Sequence, residues 1–316
     1  HFVIHLCNFI AISYIAELYL HSEIAEINHS ITPLAFYREY VSKNVPLVIR
    51  DAVQHWPAIE KWSIPYFRNV IGDEEVSVAV TPNGYADAIA KRDDKEFFVM
   101  PEERILAMSM FLDTLENRRE SSIFYIQKQN SNFIQSFRKL WPDAEIEISW
   151  ASEAFGKQPD AVNFWMGDER AVTSMHKDSY ENIYCVVSGE KNFILHPPTD
   201  LPWIPYLNYP SAVYKEYEPG KWIIESLANE TPDLEGITST PWICVDPLNP
   251  DYEKYPEYRN THSLKVTLRA GDILYLPSLW FHHVTQSHAC MSVNYWYDME
   301  FDIKYAYFKA LETLCK

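Results

Sequence analysis

The sequence predicts a β-dominated fold, a jelly roll or small barrel with flanking helices. Two observations carry this reading. The first is composition: 316 residues hold 21 Tyr, 16 Phe, 10 Trp and 20 Pro against only 8 Gly. Aromatic rings favour the pleated surface of strands, and frequent prolines punctuate them. The second is spacing. From residue 121 onward, short apolar or alternating runs follow closely at 122–127, 161–166, 183–187, 192–195, 264–268, 273–276, 283–286 and 290–297, separated by turn signals.

The elements ahead of the barrel are read in chain order. Thr32-Pro33 opens a short helix over Leu34 to Val41, with proline in its first turn. Pro46 to Arg50 is a β run, and Tyr66 to Ile71 is helical after the Trp62-Ser63-Ile64-Pro65 turn. Glu75 to Val80 alternates with period two and predicts a strand. Residues 82–98 are polar and read as loop, and Met108 to Leu115 reads as helix. The stretch 198–262 is rich in Pro, Tyr and Trp and poorly periodic, so it is expected to be a long loop, either a lid or a static cover. Asp302 to Leu314 closes the chain as an amphipathic helix. Three regions follow: 1–30 as an N-terminal extension, 31–120 as a helix and strand region supporting the barrel, and 121–316 as the barrel with its last helix.

Composition bounds the partners. A formal net charge of −17 repels a phosphate backbone, so nucleic acid is not expected as a direct partner, and a basic protein segment suits the surface. Five scattered cysteines, Cys7, Cys185, Cys244, Cys290 and Cys315, lack C-x-x-C spacing and fit a reducing compartment. Phe2 to Ala16 is strongly apolar. It lacks the basic start and small-residue cleavage site of a signal peptide and is short for a membrane span. It is expected to be a docking helix or a misplaced start. No membrane partner is expected.

The chemistry gathers at His176-Lys177-Asp178 and, far downstream, at His282-His283. On a strand, residues two apart face the same way, so His176 and Asp178 aim at one space. Two histidines and one carboxylate with open positions opposite are the ligand set of non-haem Fe(II) oxygenases. An H-x-D tripeptide alone reads better as a core histidine and a turn or cap residue. Lys191 changes that balance. It lies on an otherwise apolar segment, Val186 to Pro198, that reads as strand, Ser-Gly turn and strand. A lysine buried there needs an anion, and an anionic co-substrate supplies one. Thr173, Asn182 and Tyr125 are plausible polar donors to it. His55, His196, His262 and His288 have no partner at ligand spacing, and Trp165, Trp280 and Trp296 read as barrel packing.

These residues resemble a known family. Asn163-Phe164-Trp165, Thr173 to Asp178, Gly189-Glu190-Lys191, Leu276-Pro277, His282-His283 and Val293 to Tyr297 are similar to the jumonji-C (JmjC) 2-oxoglutarate oxygenases, in the small JmjC-only branch. The likeness covers roughly residues 31–316. It implies a double-stranded β-helix, cupin-like, holding Fe(II) through His176, Asp178 and His282, with O2 and 2-oxoglutarate as co-substrates. It implies that Lys191 pairs with the distal carboxylate of 2-oxoglutarate, and that Tyr125, Thr173, Asn182 and Asn294 contact co-substrate or the metal shell. Thr173 is three residues from His176, so it shares that space only across a loop or bulge. His283 has the opposite strand parity to His282, and only one of the two faces the metal. The resemblance further implies lysyl hydroxylation of a TRAFAC-class, developmentally regulated GTP-binding protein, in the cytoplasm or also the nucleus. Two other classes stand beside it: a histone N-methyl-lysine demethylase or methyl-arginine-directed histone-tail endopeptidase, and a cupin-like binding module without turnover. A homodimer is left open.

Overall fold

The computed structural model describes residues 20–117, 121–227 and 239–315. The apolar run Phe2 to Ala16 and Cys7 lie outside the described residues. Eight strands form the barrel: β1 (Ala161–Gly167), β2 (Val172–Lys177), β3 (Tyr180–Ser188), β4 (Glu190–His196), β5 (Leu264–Arg269), β6 (Ile273–Leu276), β7 (Phe281–Gln286) and β8 (Cys290–Asp298). β6, β3, β8 and β1 lie side by side in one sheet, and β5, β4, β7 and β2 in the other. All pairings among them are antiparallel. Two such sheets facing each other make a cupin-like jelly roll, as the sequence pattern predicts.

The period-two rule explains why β3 reads as an unbroken apolar run. Its residues sort by parity into two cores. Ile183, Cys185 and Val187 pack outward with Phe36, Phe67, Phe111, Phe164 and Tyr275. Tyr184 and Val186 pack inward with Phe193, Leu195, Val266 and Leu274. A strand covered on both faces is apolar on both. Each large side chain fully removed from water contributes about 1.5–3 kcal/mol, so the outer aromatic layer fastens the helices to the sheet.

The N-terminal region joins the first sheet by hydrogen bonds. Ala25–Ile27 and Leu47–Ile49 extend it beyond β6, and Ile123–Ile126, Glu75–Thr81 and Glu102–Ala107 extend it beyond β1. The short helix at Pro33–Phe36 is capped by Thr32, whose side chain accepts from Ala35 N at 3.2 Å. It passes into a wide turn at Tyr37–Val41. Helices follow at Ile64–Ile71, Met108–Glu116 and Ile303–Cys315. No helix among the described residues is long and apolar enough to cross a membrane.

Two expectations are corrected. Residues 82–98 are not loop: Tyr85–Ala86, Ala88–Arg92 and Lys95–Met100 are strands, the last two forming a hairpin. Its tip is exposed and charged, with Asp93 in the left-handed region at φ 51. Cross-strand pairing of Lys91 with Glu96 replaces the apolar alternation that would have marked it. Likewise 198–262 is largely structured. Tyr206–Glu218 pairs with Lys221–Ser226, with Ser239–Ile243 and with Lys95–Met100, making a further sheet beside the barrel. Its prolines and aromatics hid the strand period. Residues 228–238 of this stretch lie outside the described residues.

Candidate active site

Two strands carry the metal-ligand candidates. His176 lies near the end of β2 and pairs across the ladder with His282 of β7. Their imidazole centroids are 4.2 Å apart. Asp178 corrects the simple strand argument, because β2 ends at Lys177. Its carboxylate is brought in by the turn instead, where the Asp178 carbonyl accepts from Leu279 N at 2.8 Å. The Asp178 Oδ2 stands 3.5 Å from His176 Nε2 and 3.7 Å from His282 Nε2. One ligand atom from each of the three residues lies within 4.8 Å of the others.

The donor chemistry fits a divalent transition metal. His176 Nδ1 is 2.8 Å from the Ser174 carbonyl, and His282 Nδ1 is 3.1 Å from the Trp280 carbonyl. A carbonyl accepts only, so each Nδ1 carries the proton and each Nε2 presents a lone pair. Burial, then the neighbouring His176, pushes the His282 imidazole down to about 4, so it is neutral at physiological pH. Burial works against ionising Asp178, yet His176 and His282 outweigh it and hold the carboxyl down to about 2. His176 moves upward despite its burial, because Asp178 stands beside it. Two basic nitrogens and one carboxylate converge, which is the facial set expected for Fe(II).

Against two wall residues of the same space, Tyr125 and Tyr184, sits Lys191, 1% exposed. Its ammonium donates to Tyr125 Oη at 2.9 Å and to Gln286 Oε1. It also lies over the rings of Tyr125 and Tyr184, at 5.2 and 5.9 Å. All of these partners are neutral. A buried ammonium without a carboxylate is costly, and an anion brought to it would offset that cost.

The cavity is lined by Tyr125, Thr173, Asn182 and Asn294 together with the three metal-ligand candidates. Thr173 shares it with His176 because the β2–β7 register shifts between them. That bulge is what the three-residue spacing required. Asn294 Nδ2 donates to Asn182 Oδ1 at 3.0 Å, and Asn294 Oδ1 accepts from Trp165 Nε1 at 2.8 Å. Gly167 faces Tyr125 so closely that an added Cβ would meet its ring at 2.4 Å.

Other residues depart from the sequence reading. Trp165 and Trp296 line the cavity rather than serving packing alone. Trp296 Nε1 is buried without a hydrogen-bond partner among the described residues. Trp280 does pack, its Nε1 donating to Asn44 O at 2.8 Å. His288 is not isolated: it groups with Asp168 and Glu169. Asp168 is already bound by Arg170 at 2.6 Å, which leaves that cluster a poor cation site. Gln286 was missed, although it shares strand parity with His282 and Val284. Asp87 was missed because it lies in the hairpin region read as loop. It is half-buried, its carbonyl accepts from Ser174 Oγ at 2.6 Å while its carboxylate accepts no hydrogen bond among the described residues, and it interacts electrostatically with His176. Burial raises its carboxyl to about 6.

Comparison with known proteins agrees with this geometry. Residues 33–303 match the cupin-like domain family. The chain is 54% identical over 286 residues to the human bifunctional peptidase and (3S)-lysyl hydroxylase JMJD7, covering 90% of this chain and 87% of that protein. It is 39% identical over 312 residues to the lysine-specific demethylase JMJ32 of Arabidopsis thaliana, covering 95% and 89%. It is 36% identical over 311 residues to JmjC domain-containing protein E of Dictyostelium discoideum, covering 90% and 87%.

Proposed function

The chain belongs to the cupin-like JmjC oxygenase family, and from that premise we propose that it hydroxylates an unmodified lysyl side chain of a protein substrate. The observation that carries the reading is a pairing. Two histidines and a carboxylate converge on one cavity, and a buried lysine with only neutral partners among the described residues stands against its Tyr125 wall.

Fe(II) held by His176, Asp178 and His282, with 2-oxoglutarate and O2, supplies oxidation of a nearby C–H bond. The chain's own residues set everything else. The carbonyls of Ser174 and Trp280 fix the histidine tautomers, so both Nε2 atoms point lone pairs at the site. Lys191 would bind the distal carboxylate of 2-oxoglutarate, exchanging neutral partners for an ion pair. Trp165, Phe193, Val284 and Trp296 line the walls and keep water from the reacting carbon. Specificity is positional, because the walls decide which carbon lies nearest.

Asp87 supports an amine substrate. An underused carboxylate beside the metal end is suited to a lysyl ammonium. The net charge of −17 suits a basic segment around it. A TRAFAC-class GTP-binding protein is the proposed source of that segment, by the resemblance described above. The relatives' names include both hydroxylase and demethylase, and the product separates these. Matched lysine and N-methyl-lysine peptides from a basic GTPase segment are incubated with iron, 2-oxoglutarate and O2. Gain of one oxygen on the unmodified peptide is expected by mass spectrometry. Formaldehyde from the methylated peptide, with no oxygen gained on the other, would overturn the hydroxylase reading.

A further inference from the structure

β2 and β7 have a second face, and a second cavity of about 330 Å³ lies against it. Asn83, Tyr85, Ser174, Trp242, Asp246 and His283 are among its walls. His282 and His283 are consecutive in β7, so their side chains leave opposite faces of the sheet. His283 is 1% exposed, yet neither of its ring nitrogens has a hydrogen-bond partner among the described residues. Buried polar groups are normally paired, and one that lines a cavity unpaired points to a missing partner.

Asp246 defines the partner's charge. Its Oδ1 stands 3.8 Å from His283 Nε2, beyond hydrogen-bond reach. The carboxylate is anchored by Tyr85 Oη at 2.9 Å and by Leu248 N at 2.9 Å, and it keeps accepting capacity. A group that donates at once to the bare acceptor nitrogen of His283 and to the Asp246 carboxylate must carry several N–H donors and a positive charge. An anion would meet Asp246, and an apolar group would leave His283 unpaired. Among the described residues no third metal-ligating atom, that of Cys244 in the same wall included, converges with these two, and two are too few for a structural site. An ammonium or guanidinium fits, with Trp242 offering an aromatic wall for it.

The cavity adjoins the metal end. The Trp242 ring lies nearly parallel to that of His176, with centroids 6.2 Å apart and planes 9° apart. Trp242 Nε1 donates to Ser174 Oγ at 3.2 Å, and the Ser174 carbonyl holds His176 Nδ1. The two spaces take wall residues from the same strand, Thr173 and His176 on one and Ser174 and Met175 on the other.

We propose that this outer cavity is a binding site for a second basic side chain of the protein substrate, a neighbour of the lysine presented to the metal. The identity of the bound chain rests on the hydroxylase reading, but the site can be tested without turnover. The probes are Nα-acetyl-arginine amide and Nα-acetyl-lysine amide, with Nα-acetyl-norleucine amide as the neutral counterpart. The readout is the His283 ring nitrogen resonances, assigned by comparison with His283→Gln. The two basic probes report which side chain is preferred, and saturable shifts from at least one of them are expected, with none from norleucine. Asp246→Asn should weaken that binding about tenfold or more, by loss of a charged acceptor. Ala88→Leu fills the cavity wall without touching charge and should weaken it similarly, which keeps the test intact if Asp246→Asn does not fold. No saturable shift in the wild type, an equal shift from norleucine, or unchanged affinity in the folded variants would overturn the site. A silent peptide hydroxylation assay beside a positive titration would count against the hydroxylase reading alone.

Discussion

His282 and His283 are the same side chain at adjacent positions of one strand, and they have opposite surroundings. His282 turns inward, fixes its Nδ1 on the Trp280 carbonyl and sets Nε2 3.7 Å from the Asp178 carboxylate. His283 turns outward, is buried as deeply, and pairs with nothing at hydrogen-bond distance among the described residues. Burial pushes both imidazoles down to about 4. Proton affinity therefore does not distinguish them. Neighbours do: one histidine has its tautomer fixed and two co-ligands in reach, and the other faces one carboxylate across a cavity. A metal follows the first arrangement.

The largest expected effect breaks or upholds that comparison directly. His282→Ala should lower Fe(II) or Mn(II) affinity by more than about 100-fold, since it removes a coordinating atom rather than an orienting one. Asp178→Ala should do the same. His283→Ala should keep the metal, as read by titration calorimetry or by the Mn(II) resonance signal. Loss of metal in folded His283→Ala beside retention in His282→Ala would reverse the assignment.

The next effect extends the comparison along the inner face. Lys191→Met should raise the 2-oxoglutarate requirement at least about tenfold, because a charge-assisted contact in a buried site is worth roughly 2–5 kcal/mol. Metal affinity should not change. Thermal stability without co-substrate should hold or rise, because methionine removes a buried charge that has only neutral partners. An unchanged Michaelis constant for 2-oxoglutarate would take Lys191 out of the co-substrate site.

The smallest effect concerns Asp87, whose carboxyl is raised by burial from 3.8 to about 6. A raised acid binds protons better folded than unfolded. Its penalty to stability is therefore absent below about pH 4, grows between the two values and is complete above about pH 6. Asp87→Asn should stabilise the free protein by up to about 2–3 kcal/mol at neutral pH and by little at pH 4. It should also weaken binding of a lysine peptide. Melting curves across that range check the first part. A gain equal at both pH values would show that the carboxylate's burial is not the cause.

Much of the site was legible because its residues are chemically unusual for their places. A lysine inside an apolar β run and an H-x-D followed by a distant histidine stand out against any strand pattern. What stayed hidden depended on geometry that a local pattern does not carry. Residues 85–100 pair by charge at an exposed hairpin tip, so no apolar alternation marked them. Trp165 and Trp296 look like packing residues in any strand, and only the closure of two sheets makes them cavity walls. Gln286 could have been found by counting two positions at a time from His282.

The chain alone shows the strand content of the barrel and the residue types able to hold a metal and an anion. These follow from side-chain chemistry and a period of two, both local properties. The tertiary structure decided which faces meet. It set His176 opposite His282, placed Thr173 beside them through a register shift, and drew in Asp178 from beyond the end of its strand. It also left His283 against an outer cavity. The physical reason is that alternation sorts side chains between two faces, whereas the register between strands far apart in sequence is fixed only when both faces are packed.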